Sequence, residues 1–132
     1  MPLVRDIMSR RVISVSPEAP IDALSESLTK LGIDGAPVRD EEGHFLGFVS
    51  KTDLLAVKRW LGDGPVPSVS EVMSPVVIAI ADSEDVRAAI DRMLKTGVHR
   101  LLVVDPEEQA VGIVTPMDIL HAIARGVLRF EA

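Results

Sequence analysis

The chain contains one sequence twice, and this constrains its fold more than anything else in it. Gly47-Phe48-Val49-Ser50-Lys51-Thr52-Asp53 returns 65 residues later as Gly112-Ile113-Val114-Thr115-Pro116-Met117-Asp118. Each copy reads glycine, two apolar residues, a hydroxyl, two spacers and aspartate. The same offset lays Val4–Leu55 on Val69–Leu120 without a gap, with 15 of 52 positions identical, among them Met8/Met73, Ser9/Ser74, Gly32/Gly97 and Val38/Val103. A gapless repeat over nearly the whole chain means two copies of one small unit. Neither copy alone can bury its sheet and helix faces well, so the two are expected to pack as one pseudo-twofold body.

The pattern within each copy predicts β-α-β-β-α, an α+β fold with layers of α/β type. Val4, Ile7 and Met8 suggest one helical turn over Leu3–Met8. Val12–Val15 is short and β-branched and reads as a strand, ended by Ser16-Pro17-Glu18-Ala19-Pro20. Ile21, Leu24, Leu28 and Leu31 recur at helical spacing, and Gly32 stands where a left-handed cap belongs. Strands are expected over Ala36–Arg39 and Phe45–Val49, joined by Asp40-Glu41-Glu42-Gly43, with a helix from Lys51 towards Trp60. The second copy predicts strand Val77–Ile80 and a helix carrying Val86, Ala89, Ile90 and Met93 ahead of Gly97. Strands Leu101–Val104 and Val111–Val114 and a helix from Pro116 follow. Gly62-Asp63-Gly64-Pro65-Val66-Pro67-Ser68 reads as a linker, which divides the chain into motif 1 (residues 1–61), linker (62–68) and motif 2 (69–132).

Composition narrows the function. A net charge of −6 and a pI near 5.0 oppose a nucleic-acid partner, which calls for a basic surface. The absence of cysteine removes disulfides and thiolate chemistry and suits a cytoplasmic protein. The longest apolar run, Val76–Ala81, is too short to span a bilayer, so no membrane association is expected.

With the element order and the doubled G-h-h-[S/T]-x-x-D motif in hand, the chain resembles a tandem pair of CBS domains (a Bateman module), named after cystathionine β-synthase. The Met-Ser lead-ins, Gly35-Ala36-Pro37-Val38 and His99-Arg100-Leu101-Leu102-Val103 extend the resemblance over Leu3–Ile123. It implies a regulatory module, not an enzyme. Such a module senses AMP, ADP, ATP or S-adenosylmethionine in clefts between the two motifs, needs no cofactor, and acts in trans on a protein partner the sequence does not name. It also implies a homodimer, with apolar positions on the Leu54-Leu55 and Ile119-Leu120 helices supplying the contact.

The resemblance further implies two ligand sites. One combines Ser50 and Asp53 with Val77, Ile78, Val98, His99, Arg100 and Leu101. The other combines Thr115 and Asp118 with Val12, Ile13, Ile33, Asp34, Gly35 and Ala36. The aspartate would hold the ribose hydroxyls, the Ser or Thr would meet ribose or phosphate, and the aliphatic segments would sandwich the adenine. An acceptor-only carboxylate can take both hydroxyls of a cis-diol, and a helix start offers free N–H groups. Arg100 suits a phosphate in the first site. Asp34 opposes one in the second, although Arg10 and Arg11 lie nearby.

Plainer readings stand beside these. Ser50-x-x-Asp53 and Thr115-x-x-Asp118 are helix-start signatures, with Pro116 where the first helical residue falls. His99-Arg100 also reads as a solvated strand edge, and Trp60 as an interface or core anchor. Glycines 32, 47, 97 and 112 suit caps and close approaches more than phosphate cradling. His44, His99 and His121 have no metal-ligand spacing, so no metal site is expected. A triad of Ser50, His99 and Asp53 lacks any nucleophile-elbow pattern. The alternative function is a protein-interaction module with degenerate clefts.

Overall fold

The first helical turn, α1 (Val4–Ile7), buries Val4 completely, and it does so in the core built by the second copy of the repeat. In the computed structural model, which describes residues 1–129, the chain continues with α2 (Ile21–Leu31), β1 (Gly35–Arg39), β2 (Phe45–Ser50), α3 (Lys51–Leu61) and α4 (Val69–Val72). Then come β3 (Ala79–Ala81), α5 (Val86–Thr96), β4 (Leu101–Val104), β5 (Ala110–Val114) and α6 (Pro116–Ala124). Two compact units result, one of Ile13–Val77 and one of Met1–Val12 with Ile78 onward. Each unit therefore takes its lead-in turn from the other copy.

The exchange is reciprocal bond for bond. In the unit built on the second copy, Val4 N–H donates to Glu84 O (2.8 Å) and Val86 N–H to Pro2 O (3.0 Å). In the other, Val69 N–H donates to Ala19 O (2.9 Å) and Ile21 N–H to Pro67 O (3.2 Å). Val69, like Val4, is fully buried, packed with Ile21, Leu24, Leu28, Val38, Val49 and Leu54. Past each turn, Ser9 and Ile113 exchange both backbone bonds at 2.9 Å, as Ser74 and Phe48 do at 2.8 and 2.9 Å.

The helices follow their apolar spacing. On α2, Ile21, Leu24 and Leu28 are buried, whereas Leu31 in the last turn is 37% exposed and lies outside the core. On α5, Val86, Ala89 and Met93 face inward. Gly32 (φ 67°) and Gly97 (φ 75°) close these helices in the left-handed conformation, their N–H groups returning to Leu28 and Met93 carbonyls.

The first expected strand does not form. β1 and β2 make a two-stranded antiparallel sheet, while β3 runs parallel to β4, which pairs antiparallel with β5. Val12–Val15 contributes one bridge, Val15 beside Val38, held by Val15 N–H to Pro37 O and Arg39 N–H to Val15 O. In the second copy the equivalent ladder is extended by Leu102 N–H to Ile78 O and Asp82 N–H to Val104 O, both 2.9 Å. Pro37 and Pro17 occupy those two donor positions in the first copy, and proline has no N–H to give. Even in the second copy the strand begins at Ala79, leaving Val77 and Ile78 before it.

The two hairpin turns use one device. Asp40 Oδ1 accepts from His44 N–H (2.8 Å) and Glu42 N–H (3.0 Å), and Asp105 Oδ1 accepts from Gln109 (2.9 Å) and Glu107 (3.0 Å). The His44 amide does most to hold the Asp40 carboxyl below its ordinary value. The turns differ at their left-handed residue, which is Gly43 (φ 90°) in one and Glu108 (φ 62°) in the other. A side chain there costs about 1 kcal/mol, partly offset by the lower chain entropy of a non-glycine residue. Glu108→Gly is therefore expected to raise stability by about 0.5 kcal/mol in urea unfolding. A loss of stability would refute the strain assignment.

Candidate functional site

Each G-h-h-[S/T]-x-x-D motif passes from strand to helix, and its polar residues form the helix start. Ser50 is the N-cap of α3, where its Oγ accepts Asp53 N–H (3.1 Å) while Asp53 Oδ2 accepts Ser50 N–H (3.2 Å). Thr115 and Asp118 do the same at α6, with Asp118 N–H to Thr115 Oγ1 at 3.3 Å and Thr115 N–H to Asp118 Oδ2 at 2.9 Å. This reciprocal box satisfies two backbone donors that a helix start otherwise leaves open. It also engages each carboxylate through one oxygen only. Oδ1 of Asp53 and of Asp118 has no hydrogen-bond partner among the described residues, and both side chains are half-buried. The result is a fixed carboxylate with an acceptor still available beside a helix start.

Within its own unit, each helix start adjoins the segment that follows the preceding helix. Gly35 pairs with Ser50, and Asp34 O accepts Lys51 N–H at 2.7 Å, so Ile33, Asp34, Gly35 and Ala36 lie along the entry to α3. In the other unit Leu101 pairs with Val114, which brings Val98, His99, Arg100 and Leu101 to the entry of α6. Pro116 has no N–H with which to tie that loop down as Lys51 does. Asp34 and His99 are exposed and Arg100 is half-buried, with no ion-pair partner among the described residues. His99 and Arg100 lie in the loop before β4 and not on a strand edge. The remaining candidates, Val12, Ile13, Val77 and Ile78, are half-buried, and the boundaries between the two units fall at Val12/Ile13 and Val77/Ile78.

The motif glycines are there for a close approach. A Cβ on Gly47 would run into the Ser74 carbonyl oxygen, and one on Gly112 would come within 2.7 Å of Ser9 O. Both glycines are the floor on which a Met-Ser lead-in docks. Of the apolar pairs proposed for self-association, Leu54 and Ile119 are buried in their own cores, whereas Leu55 (60%) and Leu120 (55%) are exposed. Trp60 is 88% exposed and so is no core anchor.

Neither Ser50 nor Asp53 bonds to a histidine among the described residues. Among those residues no three His, Asp or Glu side chains are grouped to hold a metal. No helix among them is long and apolar enough to cross a membrane. A pocket of about 310 Å³ lies between α1 and α6, lined by Asp6, Asp118, His121 and Arg125. Of its polar side chains, Asp6 and Arg125 escaped the sequence reading, although the three- and four-residue spacing of Asp118, His121 and Arg125 marks one helix face.

A family model described as "CBS domain" matches residues 4–59 and again 69–125. A structure of CBSX2 in complex with AMP is 27% identical with a TM-score of 0.76, covering 97% of this chain and 100% of that one. The CBS domain pair of protein MJ0100, in complex with 5′-methylthioadenosine and S-adenosyl-L-methionine, is 27% identical with a TM-score of 0.82, covering 96% and 98%. The inosine-5′-monophosphate dehydrogenase of Halobacterium salinarum is 30% identical over 115 residues, which is 87% of this chain but 22% of that enzyme. The chain thus spans about a fifth of the length of such curated relatives.

Proposed function

Since the chain belongs to the CBS domain family, we propose that it is a regulatory module that binds an adenosine-containing ligand and acts on a partner protein in trans. Asp53 and Asp118 are the ribose-diol acceptors, Ser50 and Thr115 the hydroxyl contacts, and Arg100 the phosphate partner. The observation that carries this reading is the free Oδ1 on each capping aspartate. A capping box needs only one carboxylate oxygen, so capping and diol binding are compatible. The AMP and S-adenosylmethionine complexes of the similar CBS pairs support the ligand class.

A second reading, self-association, rests on a separate observation. Met117, Leu120 and Ile123 are 55%, 55% and 43% exposed on one stretch of α6, and Leu55 and Trp60 are exposed on α3. Such stripes are usual where a helix meets a partner, and we propose a homodimer as that partner. Ligand binding would act by shifting this equilibrium, or one with another protein, in proportion to its differential affinity for the two states.

Calorimetric titration with AMP, ADP, ATP and S-adenosylmethionine tests the ligand reading. Saturable heat with one of them is the expected result. Silence with all four leaves an interaction module whose clefts are degenerate.

A further inference from the structure

The outer faces of α3 and α6 have diverged within the repeat. On α3, Thr52, Leu55, Ala56 and Arg59 recur at helical spacing and are all exposed, whereas Leu54 is fully buried. One turn further on, Lys58 flanks this face beside Leu55, and Trp60 flanks it beside Ala56. A hollow of about 470 Å³ is lined by Thr52, Leu55, Ala56, Lys58 and Arg59. The equivalents of Lys58 and Arg59 on α6 are Ile123 and Ala124. At those two positions one helix is cationic and the other aliphatic.

The charge on α3 is uncompensated. Lys58 and Arg59 have no ion-pair partner among the described residues. Asp53, the one carboxylate on α3, is engaged by the Ser50 N–H at the opposite end of the helix. Two cations in the last turn also suit the helix dipole. The dipole does not account for Leu55 and Trp60, which stand 60% and 88% exposed beside them. Trp and Arg are among the residues enriched where binding energy concentrates at interfaces. On a chain of net charge −6, a cationic patch with exposed apolar side chains complements a partner of opposite sign.

A second copy of the chain offers no such partner among its longer helices. Asp118 of α6 is tied into its capping box. Leu94 of α5 stands between Asp91 and Lys95, and Asp22 and Glu26 of α2 share their face with Thr29 and no large apolar residue. Self-association needs only the apolar stripe of α6.

We propose that α3 docks an acidic amphipathic helix of another protein. Its carboxylates meet Lys58 and Arg59, and a large apolar side chain packs against Leu55, Ala56 and Trp60. Thr52 to Arg59 covers about 10.5 Å along the axis, close to two turns of a partner helix. The inference rests on the reading of the chain as a trans-acting module, whose kind of partner it names.

Trp60 is the chain's single tryptophan, so its emission reports on this face. The test titrates the full chain with a synthetic helical peptide carrying Glu and Leu at helical spacing. Two control peptides carry Lys for Glu and Ala for Leu. The first peptide is expected to move the Trp60 emission saturably to the blue and to bind at least tenfold more tightly than either control, with affinity falling as salt rises. Lys58→Glu and Arg59→Glu together should weaken it at least tenfold while far-UV circular dichroism stays unchanged. Leu120→Ser on α6 should leave binding as it is. No shift, equal binding of a control peptide, or loss of binding in Leu120→Ser overturns the proposal. A larger shift with phosphatidylglycerol vesicles than with the peptide would give the face to a membrane and equally overturns it. Calorimetry of the unsubstituted chain with AMP, ADP, ATP and S-adenosylmethionine keeps the readings apart. Nucleotide heat without peptide binding removes only the docking proposal, and peptide binding without heat from any of the four removes only the adenosine reading.

Discussion

Gly47→Ala is expected to destabilise the protein by about 3 kcal/mol, which at this chain length lowers the melting temperature by roughly 10 °C. The cause is space. The new methyl would collide with the Ser74 carbonyl oxygen, with Met73 Sδ 3.2 Å away. That carbonyl cannot retreat cheaply, because it accepts Phe48 N–H at 2.9 Å while Ser74 N–H returns to Phe48 O at 2.8 Å. Relief requires the lead-in turn to lift, which pulls at Val69 in the core. Gly112→Ala should behave alike, since its methyl would meet Ser9 O at 2.7 Å. The control is Gly32→Ala, where nothing lies within 4 Å and only the left-handed backbone (φ 67°) resists a side chain, at about 1 kcal/mol. Urea unfolding of the three variants decides the matter. A Gly47→Ala cost no larger than that of Gly32→Ala would remove the docking role. Faster hydrogen exchange at the Phe48 and Ser74 amides should accompany the loss.

The second large effect is on ligand stabilisation. A bound adenosine ligand at about a hundred times its dissociation constant raises stability by roughly 2.7 kcal/mol, a melting shift of about 10 °C for a domain of this size. Asp53→Ala and Asp118→Ala each remove a capping partner as well as a diol acceptor, so each variant's own baseline should fall by about 1 kcal/mol. The informative quantity is the ligand-induced shift measured from that baseline. With a phosphate-bearing nucleotide, the shift is expected to vanish in Asp53→Ala and to persist in Asp118→Ala. This asymmetry follows only from the grouping the family resemblance implies, in which Arg100, which suits phosphate, goes with Asp53, and Asp34, which opposes it, goes with Asp118. A partial loss in each variant would mean two occupied sites. Full persistence in both would reduce the aspartates to helix caps.

Much of the architecture could be read before any coordinates. α2 and α5 follow from their apolar spacing and end at the glycines the pattern marks, and β4 falls on the expected residues. The helix-start reading of Ser50, Asp53, Thr115 and Asp118 was available from residue type alone, because capping is local chemistry. The free oxygen on each carboxylate was not, since it depends on which oxygen the backbone engages. Nor was the mixed-charge pocket, whose Asp6 and Arg125 lie more than a hundred residues apart in the chain.

The sequence by itself determined the repeat, its helices, its hairpins and the positions of its caps, because these depend on contacts within a few residues or on the period of apolar side chains. Only the tertiary structure decided which lead-in completes which unit. Met8-Ser9 and Met73-Ser74 are identical, as are Gly47 and Gly112, so local sequence fits either pairing equally well. The chosen one shows in the burial of Val4 with the second copy and Val69 with the first. The tertiary structure likewise removed the first strand, because the missing N–H groups of Pro17 and Pro37 matter only once the register beside β1 is known.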